Sequence, residues 1–314
     1  MVFMDQLAAM KVFLRVAETG SFTKASEALD LSRAMVSTQV AALERLYGVR
    51  LFNRTTRRVA LTSEGSHYLE HCRRVFAELR AAEEELSGAR ERPRGHLRVD
   101  VPGAFARGLL VEALPGFLAR YPELDVDVQV NDRYVDLVTA QVDVALRGGT
   151  ITDPNLVVRH AVGSRWLTCA APSYLERHGW PRTPDDLARH ALVGARIPPA
   201  PGGRPWIFDE GGRTRSLDLR FRIASDSPEM NLHAAIRGAG IIQTLDLLAA
   251  RALEAGELVP LLPGTSVRGP ALSVVYPPAG QRLAKVRAFA DFTIDLLRQW
   301  QRRVEHVTGL PGPA

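Results

Sequence analysis

At 314 residues, 46% hydrophobic and 24% charged, the chain holds enough apolar material for more than one core, which excludes a disordered or low-complexity protein. The formal net charge is +5, but the first 92 residues carry 14 basic and 12 acidic side chains, so overall charge singles out no partner. Cys72 and Cys169 are the only cysteines, no run approaches ~18 apolar residues, and Asp5, Lys11, Arg15 and Glu18 break up the first twenty, so a disulfide framework, a membrane span and a secretory leader are all unexpected and a reducing cytoplasm is the expected location.

The first predicted helix has Leu7, Met10, Leu14 and Ala17 on one face, with Phe13 and Val16 beside them. A second helix starts near Thr23 and is expected to bury Ala25, Ala28 and Leu29; the two alanines allow a close helix crossing. After a tight connection at Asp30-Leu31, the Ser32 hydroxyl can cap a third helix. Its apolar face reads Val36, Val40, Leu43 and Leu46, which leaves Arg33, Ala34, Ser37 and Thr38 on the other side. Short or basic side chains suit a helix that enters the major groove, whereas an ordinary surface helix more often carries Glu and Lys there. From Arg45 to Ser63 the chain has Arg45, Arg50, Arg54, Arg57 and Arg58 and no acidic residue. Leu51-Phe52 and Val59-Ala60-Leu61 read as the strands of a small wing with Thr55-Thr56 at its tip, and arginines there suit phosphate or minor-groove contact.

Thr62 can cap a further helix with Glu64 in its first turn. Along it Tyr68, Cys72, Val75, Leu79, Ala82 and Leu86 recur at alternating spacings of four and three, a narrow heptad seam that calls for a partner helix, most economically from a second copy. His67 and His71 are four apart, but no third ligand is evident, so solvated histidines rather than a metal site are expected. Arg90 to Gly95 reads as a linker.

From His96 the pattern alternates. Leu97–Val101 is a strand, Leu109–Arg120 a helix interrupted by Pro115, Val126-Val128-Val130 a strand, Val135–Ala140 a short helix and Val142–Leu146 a strand. A crossover is expected at Arg165–Ala171. A helix starts at Thr183-Pro184-Asp185-Asp186, and a hairpin turns at Gly211-Gly212 between Trp206-Ile207-Phe208 and the segment from Ser216 to Ile223. Asn231–Arg237 is helical, Ile241-Ile242-Gln243 and Leu272–Tyr276 are strands, and Leu283–Val304 is a long closing helix. Such alternation implies βαβ units and a mostly parallel sheet, and about 220 residues fit two α/β lobes with a cleft between them.

Ligands bind beyond the carboxyl ends of strands in open α/β sheets. The candidates at those positions are Gly103, Ala104 and Phe105, then Asn131 and Arg147, and from the second lobe Thr168, Asp226, Ser227, Gln243 and Thr244. Arg147 can pair with an anionic ligand or form a structural salt bridge. Gly238-x-Gly240 reads as a helix C-cap, not a nucleotide loop, and Cys169 as a buried thiol. There is no Gly-x-Ser-x-Gly elbow, no phosphate loop and no cluster of metal ligands, so no enzyme, metal or cofactor is expected. An exported solute-binding protein would share two lobes but would not need residues 1–62; a DNA-binding architectural protein would not need the lobes.

The chain resembles the LysR-type transcriptional regulators over nearly its whole length. The most specific matches are Leu31-Ser32, Val36-Ser37-x-Gln39-Val40-x-x-Leu43-Glu44, Gly48-Val49-x-Leu51-Phe52-x-Arg54 and Leu61-Thr62-x-x-Gly65; Phe117-Leu118-x-x-Tyr121-Pro122, Asp143-x-Ala145-Leu146-Arg147-x-Gly149 and Trp206 agree. The resemblance implies an α+β multidomain protein: a winged helix-turn-helix at 1–62, a linker and dimerisation helix at 63–92 and a two-lobed periplasmic-binding-protein-like effector domain at 93–314. Lobe 1 would span about 93–165 and 268–314, lobe 2 about 166–267. It further implies sequence-specific recognition of promoter DNA, a small-molecule effector, a homodimer through the linker helix assembled into a homotetramer, and RNA polymerase as a partner. By position, Arg33, Ala34, Ser37 and Thr38 would face base edges, while Gln39, Arg54, Arg57 and Thr62 would contact or approach phosphate and minor groove; Ser21, Thr23 and Ser32 are also expected to bind DNA. The chain departs from the family pattern at Met35, at Thr38 where a basic residue is common, at Leu245 where a proline is usual nearby, and at Pro102-Gly103-Ala104, where many members hold a carboxylate with Ser or Thr.

Overall fold

The computed structural model describes residues 5–54, 59–86, 92–132, 137, 140, 142–195 and 204–310. Thr55-Thr56, Arg57, Arg58 and most of the helix expected at Val135–Ala140 lie outside them, as does the side chain of Arg54. The chain divides into two compact units, one built on Met1–Gly88, the other on Ala89–Leu137 and Val142–Ala314.

In the first unit, α1 (Gln6–Thr19) is capped by Asp5, whose carboxylate accepts the Ala8 N–H at 3.1 Å. Ser21 caps α2 (Phe22–Leu29), left-handed Asp30 turns the chain, and Ser32 caps α3 (Arg33–Tyr47). The wing strands β1 (Phe52–Arg54) and β2 (Val59–Leu61) pair antiparallel, and α4 (Ser63–Leu86) follows. Ala9, Met10, Phe13 and Val16 of α1, Val36, Val40 and Leu43 of α3, Phe52 of the wing and Cys72 of α4 share one core, with Phe13 and Phe52 rings 5.2 Å apart.

Three expected core residues lie outside it. Leu7 is exposed because the buried stripe of α1 begins a turn later, at Ala9-Met10. Ala28 is exposed because α2 turns Phe22, Ala25 and Ser26 inward; the Ser26 hydroxyl tolerates burial by donating to the Thr23 carbonyl at 2.7 Å. Leu46 is 55% exposed, since the buried face of α3 ends at Leu43.

The second unit opens with β3 (Gly95–Val101), then α5 (Gly103–Phe105), a π turn (Ala106–Leu110) and α6 (Val111–Arg120). α6 runs through Pro115; the irregularity lies upstream of it, where the Val111 N–H reaches back to the Ala106 carbonyl. β4 (Leu124–Val130), β5 (Val144–Gly148) and β6 (Val157–Val162) follow. The expected crossover at Arg165–Ala171 is itself a strand, β7 (Arg165–Ala170), so the chain changes sheets just before it. Next come α7 (Pro172–His178), a 3-10 turn (Pro184–Arg189) opened by a Thr183–Asp186 capping box, β8 (Leu192–Ala195) and the hairpin β9 (Trp206–Asp209) and β10 (Thr214–Leu217). β11 (Ile223–Ser225), α8 (Pro228–Ile236), β12 (Ile241–Leu245), α9 (Asp246–Glu254), β13 (Val259–Leu261) and β14 (Val267–Arg268) complete the second sheet. The chain then returns through β15 (Leu272–Tyr276) to the first sheet and closes with α10 (Ala284–Thr308).

The first sheet has strand order β4-β3-β5-β15-β6 and the second β11-β8-β12-β7-β13, with β14 also on β7. β3, β4 and β5 are parallel, as are β8, β11 and β12; β15 and β7 run against them. Both sheets are therefore mixed. β7 enters beside the carboxyl end of β12, at Trp166 opposite Leu245, so it can only run the other way. α10 covers the first sheet, laying Phe289, Ile294 and Leu297 on Leu97, Val99 and Leu146.

Candidate nucleic-acid interface and ligand cleft

The first two turns of α3 present Arg33, Ala34, Met35 and Thr38 to solvent while Val36 and Val40 are fully buried one step round the helix. Ser32 accepts the Met35 N–H at 3.1 Å, which leaves its hydroxyl at the exposed, positive end of the helix. The Thr38 hydroxyl donates to the Ala34 carbonyl at 2.8 Å, a bond that fixes its methyl group outward. Ser37 and Gln39 are half-buried at the edge of this face. Ser21 accepts the Lys24 N–H at 3.3 Å as the cap of α2, and Thr23 is exposed in its first turn. Thr62 differs from the rest: its hydroxyl donates to the Arg50 carbonyl at 2.7 Å and accepts the Gly65 N–H at 2.9 Å, so it is engaged inside the protein. Glu44 accepts the Leu51 and Phe52 N–H groups at 2.9 and 3.3 Å and ties α3 to the wing, a role its position in the sequence did not announce.

In the second unit the candidates fall into three groups. At the carboxyl edge of the first sheet, buried Asp100 accepts from Arg147 and from the Asn131 amide, so the salt-bridge alternative for Arg147 is the one realised. The Gly103 N–H that opens α5 donates to the Asp132 carboxylate at 3.0 Å, and a β-carbon at Gly103 would stand 2.5 Å from Arg107. A hydroxyl-bearing residue has no room there as the side chains stand.

At the carboxyl edge of the second sheet, Thr168 and Gln243 are buried neighbours across β7 and β12. The Gln243 amide is committed to Ile207, donating to its carbonyl at 2.8 Å and accepting its N–H at 3.1 Å. Thr244 is buried as well, whereas Asp226 is exposed and Ser227 caps α8. Two residues beside this group escaped sequence reasoning: Arg204, whose guanidinium lies 3.5 Å from the Trp166 ring centre, and Trp166 itself. They are far apart in sequence, and the side-by-side order β8-β12-β7 brings them together.

The third group lines a cavity of about 660 Å³ between the π turn and helices α8, α9 and α10. Of the expected residues it gathers Ala104, Phe105 and Ser227, and it adds Arg107, Leu247 and Trp300. Ion pairs Arg107–Glu229 and Arg251–Glu112 stand at its edge, the latter at 2.8 Å. Burial pushes the Cys72 thiol up to about 11 and Cys169 up to about 12, so neither is a ready nucleophile. Among the described residues no set of His, Cys, Asp or Glu could hold a metal, and no helix is long and apolar enough to cross a membrane.

Residues 7–66 match the family model of the bacterial regulatory helix-turn-helix protein, lysR family, and residues 90–298 match the LysR substrate binding domain. The uncharacterized HTH-type transcriptional regulator YhjC of Escherichia coli is 33% identical over 303 residues, 95% of this chain and 99% of that one. The HTH-type transcriptional regulator CrgA of Neisseria meningitidis is 34% identical over 290 residues, 92% and 96% of the two chains. The solved structure of CrgA superposes with a TM-score of 0.61 over 92% of this chain and 98% of that one at 32% identity. The full-length Vibrio cholerae virulence activator AphB gives 0.61 at 26% identity, with the same coverage. The exposed helix face, the wing and the paired sheets agree with these matches: the chain belongs to the LysR family of bacterial transcriptional regulators, DNA-binding and oligomeric proteins with a small-molecule effector domain, and is not an enzyme.

Proposed function

We propose that residues 1–62 read promoter DNA, that 63–92 pair two copies of the chain and that 93–314 hold the effector between two lobes. Lobe 1 is about 93–165 with 268–314 and lobe 2 about 166–267; the first sheet draws its strands from 95–162 and 272–276, the second from 165–268, which supports that division. Arg33, Ala34, Ser37 and Thr38 meet base edges. Ser21, Thr23, Ser32, Gln39, Arg54 and Arg57 follow the phosphates, and Thr62 holds the wing in place. The protein works in the cytoplasm as a tetramer of two such pairs, and the bound assembly acts on RNA polymerase at the promoter.

The observation that carries this reading is the outward side of α3, where Arg33, Ala34 and Thr38 stand exposed beside Met35 over a helix whose inward side is fully buried. A helix must come close to the floor of the major groove to touch bases, and Ala34, Ser37 and Thr38 permit that approach. Selection of bound duplexes from a random pool tests it. Arg33→Ala should weaken the preferred site by about 1–3 kcal/mol and relax one base position, and Ser37→Ala should alter base preference. Wild-type affinity and preference in both variants would mean that DNA lies elsewhere.

A further inference from the structure

On the carboxyl edge of the first sheet internal carboxylates already stand against the donors. Asp100 neutralises Arg147 and holds Asn131, and Asp132 occupies the Gly103 N–H. An incoming anion at either point would stand beside an internal carboxylate, a like charge in a buried setting.

The opposing edge is built differently. The Arg204 backbone N–H donates to the carbonyl of Ala195, the last residue of β8, at 3.1 Å. Its guanidinium lies over the Trp166 ring at 3.5 Å and donates one N–H to the Gln243 Oε1 at 3.3 Å. Gln243 cannot turn away, because both ends of its amide are bound to Ile207. Among the described residues no carboxylate pairs with Arg204, and the preceding segment, 196–203, contains none in its sequence. Burial pulls the guanidinium down to about 10, the mark of a cation partly withdrawn from water with only a ring face and an amide for company. A guanidinium has five donors in a planar fork, so one amide contact leaves an edge able to take two oxygens.

We propose that Arg204, held flat on Trp166 and aimed by Gln243, is the anchor for an anionic group of the effector, a carboxylate or a phosphate. This rests on the reading of the second unit as an effector domain. The anion enters from the cleft side, where the carboxyl ends of β8 and β12 lie, and the Arg147 position contributes structure instead of charge recognition.

Trp166 reports on its own neighbour. In full-length protein carrying Trp180→Phe, the most exposed indole is removed while Trp206 and Trp300 remain buried. Iodide should then quench Trp166 several-fold more effectively, relative to neutral acrylamide, than it does when Arg204→Gln is added. Arg204→Lys should keep most of the enhancement, which separates lost charge from lost folding. Benzoate, succinate and inorganic phosphate, each compared with chloride at constant ionic strength, should protect Trp166 from iodide, and the more effective class decides between carboxylate and phosphate. In Arg204→Gln that protection should weaken about tenfold, the value of one charge-assisted pair. Equal iodide quenching with and without Arg204→Gln overturns the proposal. So does a thermal-shift screen in which a neutral or cationic metabolite stabilises wild type and Arg204→Gln alike; that result leaves the effector domain standing without an anion anchor. A screen in which no compound of any charge stabilises the protein removes the effector reading itself.

Discussion

A methyl group on Gly65 would stand 2.0 Å from the carbonyl oxygen of Leu51, backbone against backbone, with no flexible side chain to give way. Gly65 sits in the first turn of α4 and donates its N–H to Thr62, which in turn reaches the Arg50 carbonyl; Glu44 holds the next two N–H groups of the same strand. The wing is thus pinned between two helices by a few short contacts. Gly65→Ala should cost about 1–3 kcal/mol through overpacking and lower DNA affinity by displacing the wing. Gly116, on an exposed turn of α6 with open space around it, should behave oppositely, and Gly116→Ala should gain about 0.5–1 kcal/mol. Denaturant unfolding of both variants checks the pair; equal tolerance would mean that the wing can shift freely. The Ser32 cap and the Val36-Val40-Leu43 face were legible in the sequence because cap chemistry and helical period are local. The task of Glu44 was not, since its partners lie seven and eight positions on, at the entry to the wing, where helical period carries no information.

At the scale of an element, α4 shows what a heptad can and cannot say. The spacing Tyr68, Cys72, Val75, Leu79 reads as one seam for one partner. Cys72 is fully buried and Tyr68 half-buried, both packing with Leu69 and Phe76 on the first unit's own core, whereas Val75 and Leu79 are 39% and 37% exposed. Period alone cannot distinguish a helix that covers its own domain from one that covers another chain, and this helix divides the two tasks along its length. Lysine at both Val75 and Leu79 should therefore shift sedimentation toward the monomer and change the stability of the head by less than about 0.5 kcal/mol. Leu69→Ala should do the reverse, costing about 2–5 kcal/mol as a core cavity while subunit number stays unchanged. An intact oligomer in the double lysine variant would move the pairing surface off this helix. The mixed sheets escaped the sequence for a related reason: alternation marks a strand but not its direction, and β7, read as a crossover, became an antiparallel member of its sheet.

At the scale of the second unit, two sheets are joined by a pair of short passages, tied where the Gly269 N–H meets the Ser164 carbonyl at 2.8 Å and the Ser164 hydroxyl meets the Pro270 carbonyl at 2.6 Å. Away from that joint the lobes hold each other in two ways. One is buried: the Trp300 indole N–H on α10 donates to the Leu247 carbonyl at 3.0 Å. The other is exposed and made of ion pairs: Arg107 with Glu229, Arg303 with Glu254, and Arg251 on α9, which takes both oxygens of Glu112 and the Gly108 carbonyl in the π turn. The Arg251 guanidinium holds the Glu112 carboxyl below the usual glutamate range by hydrogen bonding and charge. A depressed carboxyl favours the joined state above its ordinary value and loses that contribution as pH falls through the lower, folded-state value, so this latch weakens in acid. It weakens in salt as well, because at 1 M the screening length is about 3 Å. Arg251→Ala should speed hydrogen exchange across 106–110 and the first turns of α9 at low salt and neutral pH. One molar salt should accelerate wild type more than the variant, which keeps only the Arg107–Glu229 and Arg303–Glu254 pairs to be screened. Trp300→Phe should instead cost about 1–3 kcal/mol, for a carbonyl left without its donor, and should be indifferent to salt. If salt accelerated exchange equally in wild type and Arg251→Ala, the Arg251–Glu112 pair would not be what holds the π turn against α9, and the salt-sensitive hold between the lobes would fall to Arg107–Glu229 and Arg303–Glu254.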